Sequence, residues 1–225
     1  MKLYADGPTF EEIEVLKVDG YTFNPTLYKK LGATDYLDFS KKICEKIQEK
    51  PISIEVIGDD HDECLRQSKI INKIADNIWV KIPISYTNGE STKELVKDLV
   101  KDGIKLNITA IFTINQIKEI INIVKDSNSI LSIFSGRIYD IGQNAEDKFS
   151  DMTNYIHDNS NCKSLWASCR MSYDFFTAQN CKADIITMAP NLINKMNLFE
   201  KDPIKYSKET VIGFYEDAKK AGFKI

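Results

Sequence analysis

Eight short runs rich in β-branched and aromatic residues punctuate the chain, and segments with helical period separate them. The runs are "KLYAD" (2–6), "GYTFN" (20–24), "ISIEVI" (52–57), "NIWVKIPI" (77–84), "KLNITAIF" (105–112), "SILSIFSG" (129–136), "SLWASC" (164–169) and "ADIITMA" (183–189). Runs of this length and composition read as buried strands. Between the first two, "PTFEEIEVLKV" places Pro8 near a helix start and follows it with acidic residues, as helix starts prefer. "DYLDFSKKICEKIQEK" repeats apolar residues at Leu37, Phe39, Ile43 and Ile47, and "STKELVKDLVKDG" ends on Gly103, a typical C-cap residue. Two more helical stretches, "NLINKMNLF" and "KETVIGFYEDAKKAG", follow the last run. Eight strands alternating with helices predict an α/β fold: a single (β/α)8 TIM barrel over residues 1–225, with extra C-terminal helices over about 191–225. The rival, an open doubly wound sheet, usually has five or six strands and a Gly-rich phosphate loop after the first. Here that loop is "DGPTFEE", which holds no GxGxxG.

Composition narrows the function classes. A length of 225 residues is typical of one barrel, and a hydrophobic fraction of 43% is enough for a sizeable core. The net charge of -3 gives no basic excess for nucleic acid or an anionic membrane surface. No run of 18 apolar residues is present, and the N-terminus turns acidic without the apolar core of a signal peptide. The five cysteines are odd in number and form no CxxC pair, so they read as reduced thiols in a cytoplasmic protein rather than a zinc or disulfide framework. His61 and His157 lie in polar contexts, "GDDHDE" and "YIHDNS", and read as surface residues. No metal site or cofactor is expected.

Barrel strands are expected to be filled with Val, Ile and Leu, and the functional face is the C-terminal end. Polar residues near strand ends are therefore the ones that need a reason. Asp6 ends the first run and Asn24 the second; Glu55 lies in the third and Lys81 in the fourth. Asn107 and Thr109 share one side of the fifth, Ser132 and Phe134 one side of the sixth, because side chains alternate with period two. Arg137 follows the sixth directly. Trp166, Ser168 and Arg170 share one side of the seventh and its exit, which turns Trp166 toward the same pocket. Each residue alone has an ordinary explanation: Asp6 a helix cap, Asn24 a turn opener before Pro25, Glu55 a partner ion, Lys81 a lysine snorkelling to solvent. As a set they would converge on one pocket.

Their types suggest a reaction. An amine attacks a carbonyl only when unprotonated, and desolvation by Trp79, Val80 and Ile82 would lower the Lys81 pKa toward that state. A lysine Schiff base is an electron sink for making or breaking the C–C bond beside the carbonyl. Two carboxylates can move the protons, and two arginines suit a phosphorylated substrate through bidentate contacts.

At this point the sequence resembles the transaldolase family, in its small-subunit branch that also holds fructose-6-phosphate aldolase. The motifs are "TFNP", "IEV", "VKIP", "NITAIF", "FSGRI.D" and "ASCR", in order from "LYADG" to "ITMAP". The resemblance implies Lys81 as the Schiff-base lysine, and Asp6 as the acid/base for the hydroxyl beside the cleaved bond. It implies Glu55 and Thr109 as holders of a catalytic water. Asn24, Asn107 and Ser132 would grip the dihydroxyacetone fragment, and Arg137, Ser168 and Arg170 would form the phosphate site. Glu55 and Phe134 resemble a true transaldolase, because the aldolase branch carries glutamine and tyrosine there. The alternatives are an aldolase releasing free dihydroxyacetone and a non-catalytic sugar-phosphate-binding barrel. Phe23 stands where the family has threonine, Trp166 where it has a small residue and Cys169 where it has phenylalanine, so Trp166 and Phe23 could retune the pocket. Ring-type homo-oligomers are a further implication, with C-terminal helices packing on neighbours.

Overall fold

Each of the eight runs forms a strand, and the strands pair in parallel and in chain order until the last closes on the first. In the computed structural model, which describes residues 1–225, the barrel strands are β1 (Lys2–Asp6), β2 (Gly20–Thr22), β3 (Ile52–Glu55), β4 (Ile78–Pro83), β5 (Leu106–Ile111), β6 (Ile130–Ile133), β7 (Lys163–Trp166) and β8 (Ile185–Met188). The helices are α1 (Phe10–Val15), α2 (Pro25–Lys30), α3 (Tyr36–Ile47), α4 (His61–Asn72), α5 (Lys93–Lys101), α6 (Ile114–Val124), α7 (Ser135–Asp140), α8 (Ala145–Asn159), α9 (Asp174–Asn180), α10 (Pro190–Lys195) and α11 (Pro203–Lys220). The fold is a (β/α)8 TIM barrel with helices surrounding the closed sheet. None of its helices is long and apolar enough to cross a membrane.

Local chemistry sets several helix starts. Thr9 caps α1 through a reciprocal capping box with Glu12. Asn24 caps α2 with Pro25 in its first turn, and Asp35 and Asp60 cap α3 and α4. Two short helices, α2 and α7, fall where the sequence pattern shows no helical period. The sixth run gives up its strand at Ile133, and its "SG" opens α7.

Strand alternation divides the core in two. Residues such as Val80, Ile82, Ile108 and Ile186 face outward and pack against the helices in one large apolar cluster. Tyr4, Ile130, Leu165 and Ile185 form a small separate cluster inside the barrel, with Trp79 against it. This plug fills the N-terminal half, and Lys105 stacks over the Trp79 ring at 5.0 Å. The interior above the plug is polar, and that is where the site lies.

Helix α11 contrasts with the rest, since none of its residues is buried. Ile204, Val211, Phe214 and Tyr215 are 62 to 81% exposed.

Candidate active site

Register brings the polar strand residues together. Glu55 on β3 pairs with Lys81 on β4, and Lys81 with Asn107 on β5, so the three stand side by side in one row. Neighbouring strands lie about 4.8 Å apart, which places their inward side chains within mutual reach. Lys81 is only 5% exposed. Its Nζ lies 3.1 Å from Glu55 Oε2. A recessed ion pair of this kind is weak evidence for stability, because desolvation offsets much of the attraction. The surroundings of Lys81 differ from the sequence-based expectation in one respect. Val80 and Ile82 face the helix layer and Trp79 lies one layer below with the plug, so the group beside the amine is the Glu55 carboxylate rather than these apolar side chains.

The remaining inward residues complete a cleft of about 640 Å³ at the C-terminal strand ends. Asp6 closes one side. Its carboxyl is held above the ordinary value of 3.8, chiefly by burial, against the opposing pull of Lys81, a hydrogen bond from Thr22 and the charge of Lys30. Thr22 Oγ1 donates to Asp6 Oδ1 at 2.6 Å. On the other side Asn107 donates to Ser53 Oγ at 2.9 Å and accepts from Ser132 Oγ at 2.6 Å, which fixes its amide. Thr109 Oγ1 is buried, lines the cleft and meets no protein hydrogen-bond partner. A left-handed Ala110 (φ 60°) and a register shift between Ile108 and Ile111 form a bulge, so Thr109 and Ala110 both line the cleft although adjacent in sequence.

Asn24, Phe134, Arg137, Ser168 and Arg170 line the same cleft. Asn24 is also the turn opener expected of it, since its Oδ1 accepts from Leu27 N at 3.0 Å. The Arg137 guanidinium lies over the Phe134 ring at 5.5 Å. Arg170 is tied down: its Nε donates to Asp140 Oδ1 at 3.0 Å, a second nitrogen meets Asp140 Oδ2, and its backbone N–H donates to Asp174 at 2.6 Å. That pairing holds the Asp140 carboxyl below its usual range. Of the twelve residues singled out from the sequence, ten line this cleft, Asn107 lies buried just beneath as the brace for Ser132, and Trp166 lies outside it.

Two departures from the family pattern lie outside the cleft. Trp166 does not face it. The indole is fully buried on the helix side, 4.8 Å from Phe149 on α8 and 6.3 Å from Tyr139 on α7. The reason is Ser168, whose φ of 65° breaks the alternation, so that Ala167, Ser168 and Cys169 all line the cleft in succession. Phe23 is likewise buried away from it, packed on Tyr28 at 5.6 Å. Among the cleft residues that escaped the sequence reading are Thr22, Thr187 and Lys30. Thr22 shares the side of Asn24, and Thr187 interrupts the apolar "ADIITMA". Both stand at inward positions by parity, but threonine is an ordinary strand former.

Fold and site together define a (β/α)8 barrel whose polar cleft at the C-terminal strand ends is built around a recessed lysine and two carboxylates. Solved structures share the architecture: an N-acetylneuraminate lyase from Mycoplasma synoviae matches with a TM-score of 0.61 and 15% identity, over 96% of this chain and 80% of the other. A monomeric dihydrodipicolinate synthase variant matches with a TM-score of 0.63 and 9% identity, over 93% and 78%. At such identities only the fold is shared. The family is shown by sequence. Residues 3–225 match the family model described as Transaldolase/Fructose-6-phosphate aldolase. A protein named probable transaldolase in Bartonella henselae is 30% identical over 230 residues, and one of the same name in Novosphingobium aromaticivorans is 32% identical over 231, each covering 100% of both chains. The chain belongs to the transaldolase/fructose-6-phosphate aldolase family.

Proposed function

We propose that the protein is a transaldolase-type transferase, moving a dihydroxyacetone unit from a ketose phosphate to an aldose phosphate through a Schiff base on Lys81. Sedoheptulose 7-phosphate and fructose 6-phosphate are the donors considered. The observation that carries this reading is the recessed Lys81–Glu55 pair at 3.1 Å, with Asp6 lining the same cleft.

The geometry supports a sequence of steps. Glu55 takes a proton from the Lys81 ammonium, leaving an amine that attacks the ketose carbonyl at C2. Water leaves and an iminium forms. Glu55 and the Thr109 hydroxyl would hold that water, a role supported by the absence of any protein partner for Thr109 Oγ1. Asp6 accepts the proton of the C4 hydroxyl as the C3–C4 bond breaks, and the bonding electrons pass into the iminium to give an enamine. The first aldose phosphate departs. The enamine carbon then attacks the aldehyde of a second aldose phosphate, Asp6 returns the proton, and water releases the new ketose. Ser132, braced from beneath by Asn107, and Asn24 supply hydroxyl contacts for the dihydroxyacetone fragment. Arg137, Ser168 and the nitrogens of Arg170 not engaged by Asp140 supply the phosphate site.

Glu55 and Phe134 favour transfer over release, since the cleft wall holds no tyrosine hydroxyl at 134 to pass a proton to the enamine. Incubation with donor alone separates the two activities. The expected result is little free dihydroxyacetone without acceptor and rapid exchange when an aldose phosphate is added. Equal release with and without acceptor would make the protein an aldolase. The location in the cytoplasm and a ring-type homo-oligomer belong to the same proposal. The exposed apolar stripe of α11 supports the second of these.

A further inference from the structure

Asp6 stands on β1, and the two strands that flank β1 each send a threonine toward it. Thr22 on β2 and Thr187 on β8 are 2% and 5% exposed, and both line the cleft. Thr22 Oγ1 lies 2.6 Å from Asp6 Oδ1 and 2.6 Å from Thr187 Oγ1. Each threonine hydroxyl carries one hydrogen, and an ionised carboxylate only accepts. While Asp6 is ionised, Thr22 commits its hydrogen to Asp6, so Thr187 must donate to Thr22. The Cys169 thiol reaches the backbone carbonyl of Thr187 at 3.3 Å, not its hydroxyl, and leaves the hydroxyl for Thr22.

We propose that Thr187 is a positioning residue for the transfer reaction, acting through Thr22 on Asp6. This rests on the catalytic reading above. The two hydroxyls hold Oδ1 and leave Oδ2 to the substrate. They keep one polarity at both stages: when Asp6 carries the proton on Oδ2, Oδ1 still accepts from Thr22 and Thr22 still accepts from Thr187. Asp6 needs both states, ionised to take the C4 hydroxyl proton during cleavage and protonated to return it during condensation. The hydroxyl pair therefore stays hydrogen-bonded at both stages without a rearrangement of heavy atoms. It also opposes the desolvation of the carboxylate. The other charged or titratable groups acting on or facing Asp6 are Lys81 from β4, Glu55 from β3, Lys30 from α2 and the Cys169 thiol after β7, with Arg137 and Arg170 farther along the cleft wall.

The test is a mutant cycle read by pH profiles. Thr187→Val keeps the shape and removes the hydroxyl; Thr187→Ser restores it. The Val variant is expected to move the acid limb of kcat/KM upward by roughly half a pH unit, the scale of one neutral hydrogen bond. Its kcat should fall about tenfold, a fraction of what a positioned proton acceptor contributes, with KM within about twofold. Thr187→Ser should recover the wild-type profile. In a Thr22→Val background, Thr187→Val should add nothing, because the connection to Asp6 is already cut. Borohydride trapping of ketose on Lys81 should survive in all these variants. An unmoved acid limb, an effect confined to KM, additivity with Thr22→Val, or failure of serine to rescue would each overturn the proposal. If Thr187→Val does not fold, Thr187→Ala against Thr187→Ser answers the same question. Absence of any trapped adduct in the wild type would instead strike at the Schiff-base reading itself.

Discussion

The surroundings of Asp6 disfavour its ionised form. Burial raises its pKa, and Lys81, Thr22 and Lys30 recover only part of the loss. The folded chain therefore keeps the Asp6 proton to higher pH than the unfolded chain does. The associated stability is complete below about 3.8 and is lost as pH rises through the folded value. Asp6→Asn removes that loss. The variant is expected to be inactive yet to melt at a higher temperature than wild type near neutral pH, with the gap closing as pH falls below the ordinary carboxylate value. Thermal melts at both ends of that range measure it, and a lower melting point near neutrality would contradict the account. Lys81, Glu55, Asp6 and Ser132 were readable because charge or polarity at an inward position of an apolar strand has few ordinary explanations. Thr22 and Thr187 were not, because threonine is a common strand former and raises no alarm by type. Trp166 was misplaced for a different reason. Parity counting assumes a continuous strand, and the left-handed Ser168 ends that continuity.

The segment from β6 into α7 and the exit of β7 meet at one crossing, where Gly136 N–H donates to the Ala167 carbonyl at 3.4 Å. A Cβ on Gly136 would sit 1.6 Å from the carbonyl oxygen of Ser168, which is backbone and cannot swing aside. This contact holds the turn bearing Arg137 against the turn bearing Ser168 and Arg170. Gly136→Ala is expected to lower the melting temperature by several degrees, as a loss of about 1–3 kcal/mol from overpacking would. It should also raise KM for phosphorylated donors while the Lys81 adduct still forms. Melting curves and KM measurements on the same preparation check both, and an unchanged KM would show that the crossing does not set the phosphate site. All eight strands were visible from composition and spacing, because a doubly covered parallel strand is apolar almost throughout. Helices α2 and α7, six residues each, were not, because fewer than two turns show little period and, unlike the equally short α1, neither has an acidic first turn to mark its start. The bulge at Ala110 left no trace in residue type either.

Closure of the sheet is what turns scattered polar residues into a site: eight strand ends converge, and the plug beneath leaves the C-terminal half for chemistry. The barrel was foreseeable from the count and order of elements, whereas the exposure of α11 was not, since its sequence is an ordinary amphipathic pattern. Ile204 and Val211, seven residues apart, and Tyr215, four further on, make one apolar stripe with no partner in the chain. If that stripe packs on a second copy, replacing Ile204, Val211 and Tyr215 with glutamate should yield a monomer in analytical ultracentrifugation. A wild-type chain already monomeric at micromolar concentration would dismiss the oligomer. The chemistry itself turns on one atom, Lys81 Nζ. Incubating the protein with fructose 6-phosphate, reducing with borohydride and mapping the adduct by peptide mass spectrometry tests it most directly. The account predicts a reduced three-carbon adduct on Lys81 that is absent from Lys81→Ala; an unmodified Lys81, or an adduct on another lysine that persists in Lys81→Ala, would contradict it.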